Sequence, residues 1–200
     1  MKPTDILSEE HRVIDQVLDC LERMVQQGET EGKLEAQSAR DAVEFFRSFA
    51  DRCHHAKEES HLFPAMEQKG FSREGGPTGV MMYEHELGRA HVRVMDQAIE
   101  AAAAGEVTAL AEFSRHARDY ITLLRQHIEK EDHCLYTMAN QAFTEEDQRR
   151  LLAAFERVEH EELESGTHEK YLRIANALAD RFGVPLAAAT GGAGGCPCSH

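Results

Sequence analysis

The 200-residue chain is long enough for one domain with a hydrophobic core and short for two. It is 42% apolar with only 6% aromatics and no Trp, and its prominent Ala, Glu, Leu and Arg lose little on entering a helix, which sets aside a β-sandwich. A formal charge of −14 repels nucleic acid throughout the approach, and no apolar run nears the ~18 residues a membrane span needs. Met1 to Glu10 is too polar for a secretory signal. Five cysteines, an odd number, do not make a disulfide framework, and a reducing cytoplasm is the expected compartment.

In chain order, Leu7, His11, Ile14, Leu18, Leu21 and Val25 recur at alternating steps of four and three, marking one face of a first helix. Thr4 is its expected N-cap and Gly28 its expected end. A second helix is predicted from Glu35 to Lys69, with Val43, Phe46, Ala50, His54, Glu58 and Ala65 inward and a kink at Pro64. A loop through Gly79 leads to a third helix, Val80 to Ala104, and a fourth, Thr108 to Gln141. The fourth carries Leu110, Phe113, Ala117, Tyr120, Leu124, His127, Glu131, Cys134 and Met138 on one stripe. Thr144-Glu-Glu-Asp opens a fifth helix to about Glu164, and Thr167 begins a sixth that ends at Gly183. The expected fold is all-α: an antiparallel up-and-down four-helix bundle over residues 1–142, and a C-terminal helical hairpin over 143–183 packed on it. A flexible Ala/Gly-rich tail should follow over 184–200.

An internal repeat carries the chemistry. His54-His-Ala-Lys-Glu58-Glu-Ser-His-Leu-Phe63 aligns with His127-Ile-Glu-Lys-Glu131-Asp-His-Cys-Leu-Tyr136. A lone His precedes each copy: Glu10-His11 lies 43 residues before His54, and Glu84-His85 lies 42 before His127. Residues i and i+4 sit about 40° apart around a helix and one turn along it, so a His and a Glu so spaced can reach one metal ion or bridge two. All six residues fall where the apolar stripe would otherwise continue. Uncompensated ionisable groups there would cost several kcal/mol each. Metal ligation removes that cost, and imidazole with carboxylate suits iron, although manganese or zinc fits the same donors.

These motifs resemble the hemerythrin family, specifically the hemerythrin-like HHE cation-binding domains, over about residues 4 to 142. The most specific stretch is His-x-x-x-Glu-Glu-x-x-Leu-Phe-Pro, His54 to Pro64. The resemblance implies a non-haem di-iron centre with oxo or hydroxo bridging, in which Glu58 and Glu131 bridge the irons and His11, His54, His85 and His127 cap them. O₂-carrying members have two histidines one turn apart on the third helix, but here Met81 and Arg89 flank His85 at those positions. His91, six residues on, lies about 240° round the helix. Four His and two Glu is instead similar to the branch that repairs iron–sulfur centres or handles nitric oxide and peroxide.

His61 and Cys134 stand seven residues after His54 and His127 and should both face inward beside the metals. Tyr120, two turns before His127, should point the same way, and Arg89 should pair with a bridging carboxylate, with a bound anion, or with solvent. His168 is placed to cover the open side of the metal pocket. In the tail, Cys196, Cys198 and His200 form a soft-metal or redox motif by composition. The expected function is reaction with a small oxidant (peroxide, nitric oxide or O₂) at an open iron position, using an electron donor the sequence does not name. A carrier or sensor of O₂ is the alternative. Iron storage is a third, which wants Glu-x-x-His twice and finds it once, at Glu58 to His61.

Overall fold

The computed structural model describes residues 1–158 and 167–187. Helix α1 spans Pro3–Glu31. The second long helix is continuous but not uniformly α: α2 (Ala36–Phe45) passes into a π-helical stretch π1 (Phe46–His55), then π2 (Glu58–Leu62) and α3 (Phe63–Gln68). Helix α4 spans Pro77–Ala103. The fourth long helix repeats the pattern with α5 (Val107–Lys130), π3 (Glu131–Leu135) and α6 (Tyr136–Ala142). Two shorter helices follow, α7 (Glu145–Arg157) and α8 (Thr167–Phe182). No described helix is long and apolar enough to cross a membrane.

Helix ends follow local chemistry. Thr144 and Asp147 form a reciprocal capping box at α7, as the sequence indicates. At α1 the cap is Lys2 rather than Thr4: Pro3 enters the first turn, where no N–H is needed, and Asp5 accepts from the Lys2 amide. The Thr4 side chain bonds Asn140 instead. Gly28 does not end α1; the helix continues to Gly32, whose φ of 72° makes the left-handed C-cap.

The π turns π2 and π3 occupy matching places in the two copies of the repeat, directly from Glu58 and from Glu131. Pro64 follows the first, but its counterpart in the second is Thr137, so proline is not their common cause. Each wider turn advances the phase of what comes after it.

The apolar residues form two clusters. One contains Ile14 to Val25, Ala39 to Ala50, Val92 to Ala102 and Ala109 to Ile128; the other contains Leu7, Leu62 to Met66, Met81 and Leu135 to Phe143. Every long helix passes through both. Helices α1 and α4 enter the smaller cluster first, and the other two enter it last. Between the clusters, at the crossing point of each helix, stand His11, His54, His85 and His127. Helix α7 adds Leu151 and Phe155 to the smaller cluster, while α8 adds Tyr171, Leu178 and Phe182 to the larger one and lies against α1 and α2.

Candidate metal centre

The polar layer is closed to solvent. His11, His54, His85 and His127 are each 1% exposed, and Glu58 and Glu131 are 0%. His11 Nε2 faces His54 Nε2 at 3.0 Å, and His85 Nε2 faces His127 Nε2 at the same distance. The carboxylates connect the two pairs. Glu131 Oε2 lies 3.3 Å from His11 Nε2 and 3.2 Å from His127 Nε2. Glu58 Oε2 lies 3.7 Å from His54 Nε2 and 3.5 Å from His85 Nε2. Two overlapping donor sets result, one with His11 and His54 and one with His85 and His127, and both include Glu58 and Glu131.

The other nitrogen of each ring is tied to a carboxylate from a neighbouring helix. His11 Nδ1 pairs with Asp132 at 3.1 Å, His54 with Glu10 at 2.9 Å, His85 with Glu59 at 2.6 Å and His127 with Glu84 at 2.9 Å. Buried Lys57 also bonds Glu10, and Lys130 bonds Glu84 in the equivalent place. An ionised carboxylate only accepts, so each Nδ1 donates and leaves its lone pair on Nε2. Two lone pairs then face each other across 3.0 Å in each pair, an arrangement that requires a cation or a shared proton. The pairs are polarised accordingly. Burial opposes it, yet the bond to Asp132 and the adjacent Glu131 carboxylate raise His11 to about 9, and the charge of Glu131 raises His127 to about 10. Burial lowers their partners, His54 to about 4 and His85 well below its ordinary value.

Among the described residues, Glu58 Oε2 and both oxygens of Glu131 accept no hydrogen bond. Burial, then the neighbouring charge of Glu131, pushes Glu58 well above the usual carboxylate range. Glu131 is held well below it against burial, chiefly by His127 and His11. Orphaned buried carboxylate oxygens cost several kcal/mol unless a cation meets them. The spacing fits one: two imidazoles bound at right angles at about 2.1 Å would hold their nitrogens about 3.0 Å apart. The donor set is therefore compatible with metal binding on the geometry of the chain itself.

The sequence missed two residues here. The Tyr136 hydroxyl donates to Glu58 Oε1 at 2.7 Å, lies 3.4 Å from His11 Nε2, and its ring stacks on His11 with 8° between planes. His55, next to His54, is buried and stacks on His85 with ring centroids 3.7 Å apart.

Other expected neighbours lie elsewhere. Cys134 is exposed, because π3 adds a residue to the turn and brings Leu135 and Tyr136 inward in its place. His61 is only half-buried and approaches Phe155 of α7. Tyr120 is buried against Phe46, and Gly88 leaves room for its ring. It lines a cleft of about 270 Å³ with His55, Asp51 and Arg89, beside the metal donors and not among them. Arg89 bonds Asp51, Glu59 and Glu86, so it holds the carboxylates behind the histidines and touches neither Glu58 nor Glu131. His168 stacks on Phe49 and is not among the clustered donors. Cys196, Cys198 and His200 lie outside the described residues.

The model for the hemerythrin HHE cation binding domain matches residues 2–139. Among curated proteins, the uncharacterized protein Rv1995 of Mycobacterium tuberculosis (strain ATCC 25618 / H37Rv) is similar, at 24% identity over 158 residues. The uncharacterized protein Mb2018 of Mycobacterium bovis matches to the same extent. Each alignment covers 79% of this chain and 61% of the relative, so the chain spans under two thirds of their length. No solved structure matches.

Proposed function

The chain belongs to the hemerythrin HHE cation-binding family, and from that premise we propose that it is a non-haem di-iron protein that reacts with a small oxidant. His11 and His54 would hold one ion, His85 and His127 the other, and Glu58 and Glu131 would span both. The observation that carries this reading is the pair of facing Nε2 atoms at 3.0 Å on each side of carboxylate oxygens that nothing else satisfies. The opposite order in which successive helices meet the two apolar clusters supports the antiparallel up-and-down arrangement.

Bound iron supplies a redox-active Lewis acid for peroxide, nitric oxide or O₂. The protein's share of the chemistry is positional. Four carboxylates behind the rings, Glu10, Glu59, Glu84 and Asp132, two of them held by Lys57 and Lys130, fix which nitrogen each histidine presents. The apolar clusters above and below exclude bulk water from the layer. Tyr136 places an O–H between Glu58 and His11, where it can give a proton to a substrate oxygen or stabilise charge on it. Burial and the nearby carboxylates raise the Tyr136 pKa well above 10, so the phenol stays protonated and available to donate. Oxidative or nitrosative defence, or repair of iron centres, in a reducing cytoplasm is the setting this chemistry suits.

An anaerobic optical titration of the iron-loaded protein with peroxide, nitric oxide and O₂ tests the reading. Catalytic consumption of peroxide or nitric oxide supports it. A single stoichiometric turnover counts against it, and a colour change with O₂ that reverses under vacuum favours a carrier. Metal analysis comes first: two ions per chain is the expected content, and many per chain would favour storage.

A further inference from the structure

We propose that the cleft between π1 and α4 binds a small organic anion, a carboxylate or phosphate held by Arg52 and Arg93 at the rim and met by the Tyr120 hydroxyl at the floor. The cleft has a volume of about 270 Å³. Four arginines line it, Arg47 and Arg52 from π1 and Arg89 and Arg93 from α4, against two aspartates. Both aspartates are already engaged. Arg89 donates to Asp51 at 2.8 Å and Arg47 donates to Asp96 at 2.9 Å, each pair reaching from one helix to the other. Arg52 and Arg93 are exposed, and among the described residues they take part in no ion pair or hydrogen bond. A shortage of acids does not account for this, since acidic residues outnumber lysine and arginine by 36 to 22. Two uncompensated guanidiniums over one concavity make a basic spot on a chain of formal charge −14. Their planar forks match the oxygens of a carboxylate or a phosphate.

The floor supplies an independent observation. Tyr120 is only 2% exposed, yet its hydroxyl bonds no described residue. A buried phenol ordinarily finds an acceptor, and this one lines the cleft. Burial, then the charge of Asp51, pushes its pKa well above the ordinary value, so the group stays protonated and can donate. Gly88 keeps the way to the ring open: a Cβ there would lie 3.3 Å from Tyr120 Cε2. Phe46 packs edge-on against the same ring, with centroids 4.9 Å apart, and gives the cleft an apolar wall. An unbonded donor at the base, an apolar wall and two unpaired cations at the mouth suit a short organic chain. Such a ligand carries a negative group at one end and an acceptor oxygen at the other. Neither arginine is a metal donor, so the cleft stands apart from the chemistry proposed for the histidines.

The test titrates the full chain with succinate and, separately, with glycerol phosphate by isothermal titration calorimetry. One of the two should bind saturably at a single site, and the tighter one identifies the charged group. R52A/R93A leaves every described ion pair in place and should weaken that anion at least about 10-fold. Y120F keeps the ring and should weaken it about 10-fold through loss of the hydroxyl. R12A removes an exposed arginine of α1 outside the cleft and should leave the affinity unchanged. Equal binding by the wild type and R52A/R93A would put the anion elsewhere, the metal included, and overturn the proposal. So would an equal loss in R12A, which marks a non-specific charge effect, or binding of both anions weaker than about 10 mM. Unchanged affinity in Y120F would overturn the role given to the floor.

Discussion

Tyr136 donates its hydroxyl to Glu58 Oε1 while its ring lies parallel to His11, so one side chain touches a carboxylate and an imidazole from two other helices. Y136F keeps the stack and removes the donor. In the metal-free protein this leaves another buried oxygen unsatisfied, and the expected loss is about 1–3 kcal/mol by denaturant unfolding. In the iron-loaded protein, metal content should be unchanged while peroxide consumption slows, and the combination identifies the hydroxyl as a proton donor. Unchanged rates would leave it a packing role alone.

In the metal-free protein His127 and His11 hold Glu131 ionised, well below the usual carboxylate range. E131Q should therefore lower metal-free stability at pH 7. It should abolish most of the rise in melting temperature that iron confers, because binding to the native state is what produces that rise. Paired thermal melts with and without iron measure both effects. A variant that keeps the full iron-induced rise would contradict the assignment of Glu131 as a shared ligand.

Glu10 sets the acid limit. Burial raises its pKa, but bonds to His54 and Lys57 outweigh that and bring it from 4.5 to about 2. A depressed pKa means the ionised group stabilises the fold above its ordinary value and loses that contribution as pH falls towards the folded value. The metal-free wild type should therefore lose on the order of 3 kcal/mol between about pH 5 and pH 2 from this group. E10Q should be less stable at pH 7 and decline less over that interval. Urea titrations at stepped pH would reveal this, and parallel declines in the two proteins would refute it.

Arg89 is half-buried and bonds Asp51 and Glu59, which anchor His55 and His85. R89A should keep the fold and weaken metal affinity about 10–100-fold, the usual consequence of losing an outer hydrogen-bond partner. Chelator competition reads this directly. C134S, by contrast, should bind metal like the wild type, since Cys134 faces solvent.

The six residues of the site were legible because His-x-x-x-Glu returns to the same helix face, and because the pattern occurs twice with a His before each copy. The acids that support them, Glu10, Glu84, Glu59 and Asp132, were visible as repeated letters but not as partners. Each bonds a histidine on another helix, and spacing along one helix carries no record of that. Cys134 was read inward and Tyr136 was overlooked for one reason: π3 inserts a residue into the turn, and no propensity in Glu131–Leu135 announces it. His55 escaped for the converse reason, since the α-helical angle removes from the site a neighbour that π1 returns to it. The helical class and the Thr144 cap were readable from periodicity and local capping chemistry. The division of α7 and α8 between two clusters was not, because it depends on where the long helices leave apolar surface.

The charged layer between the two apolar clusters also bears on how the bundle comes apart. Each cluster can hold together by its own contacts, but the stretch joining them consists of rings and carboxylates whose mutual attraction depends on a counter-charge. Iron supply would then act as a clasp across the middle of the molecule. With it closed, amide exchange should slow together from Leu7 to Val25 and from Leu110 to Leu135. With it open, the two ends should exchange as separate units, leaving the iron-starved chain open to proteases at its waist.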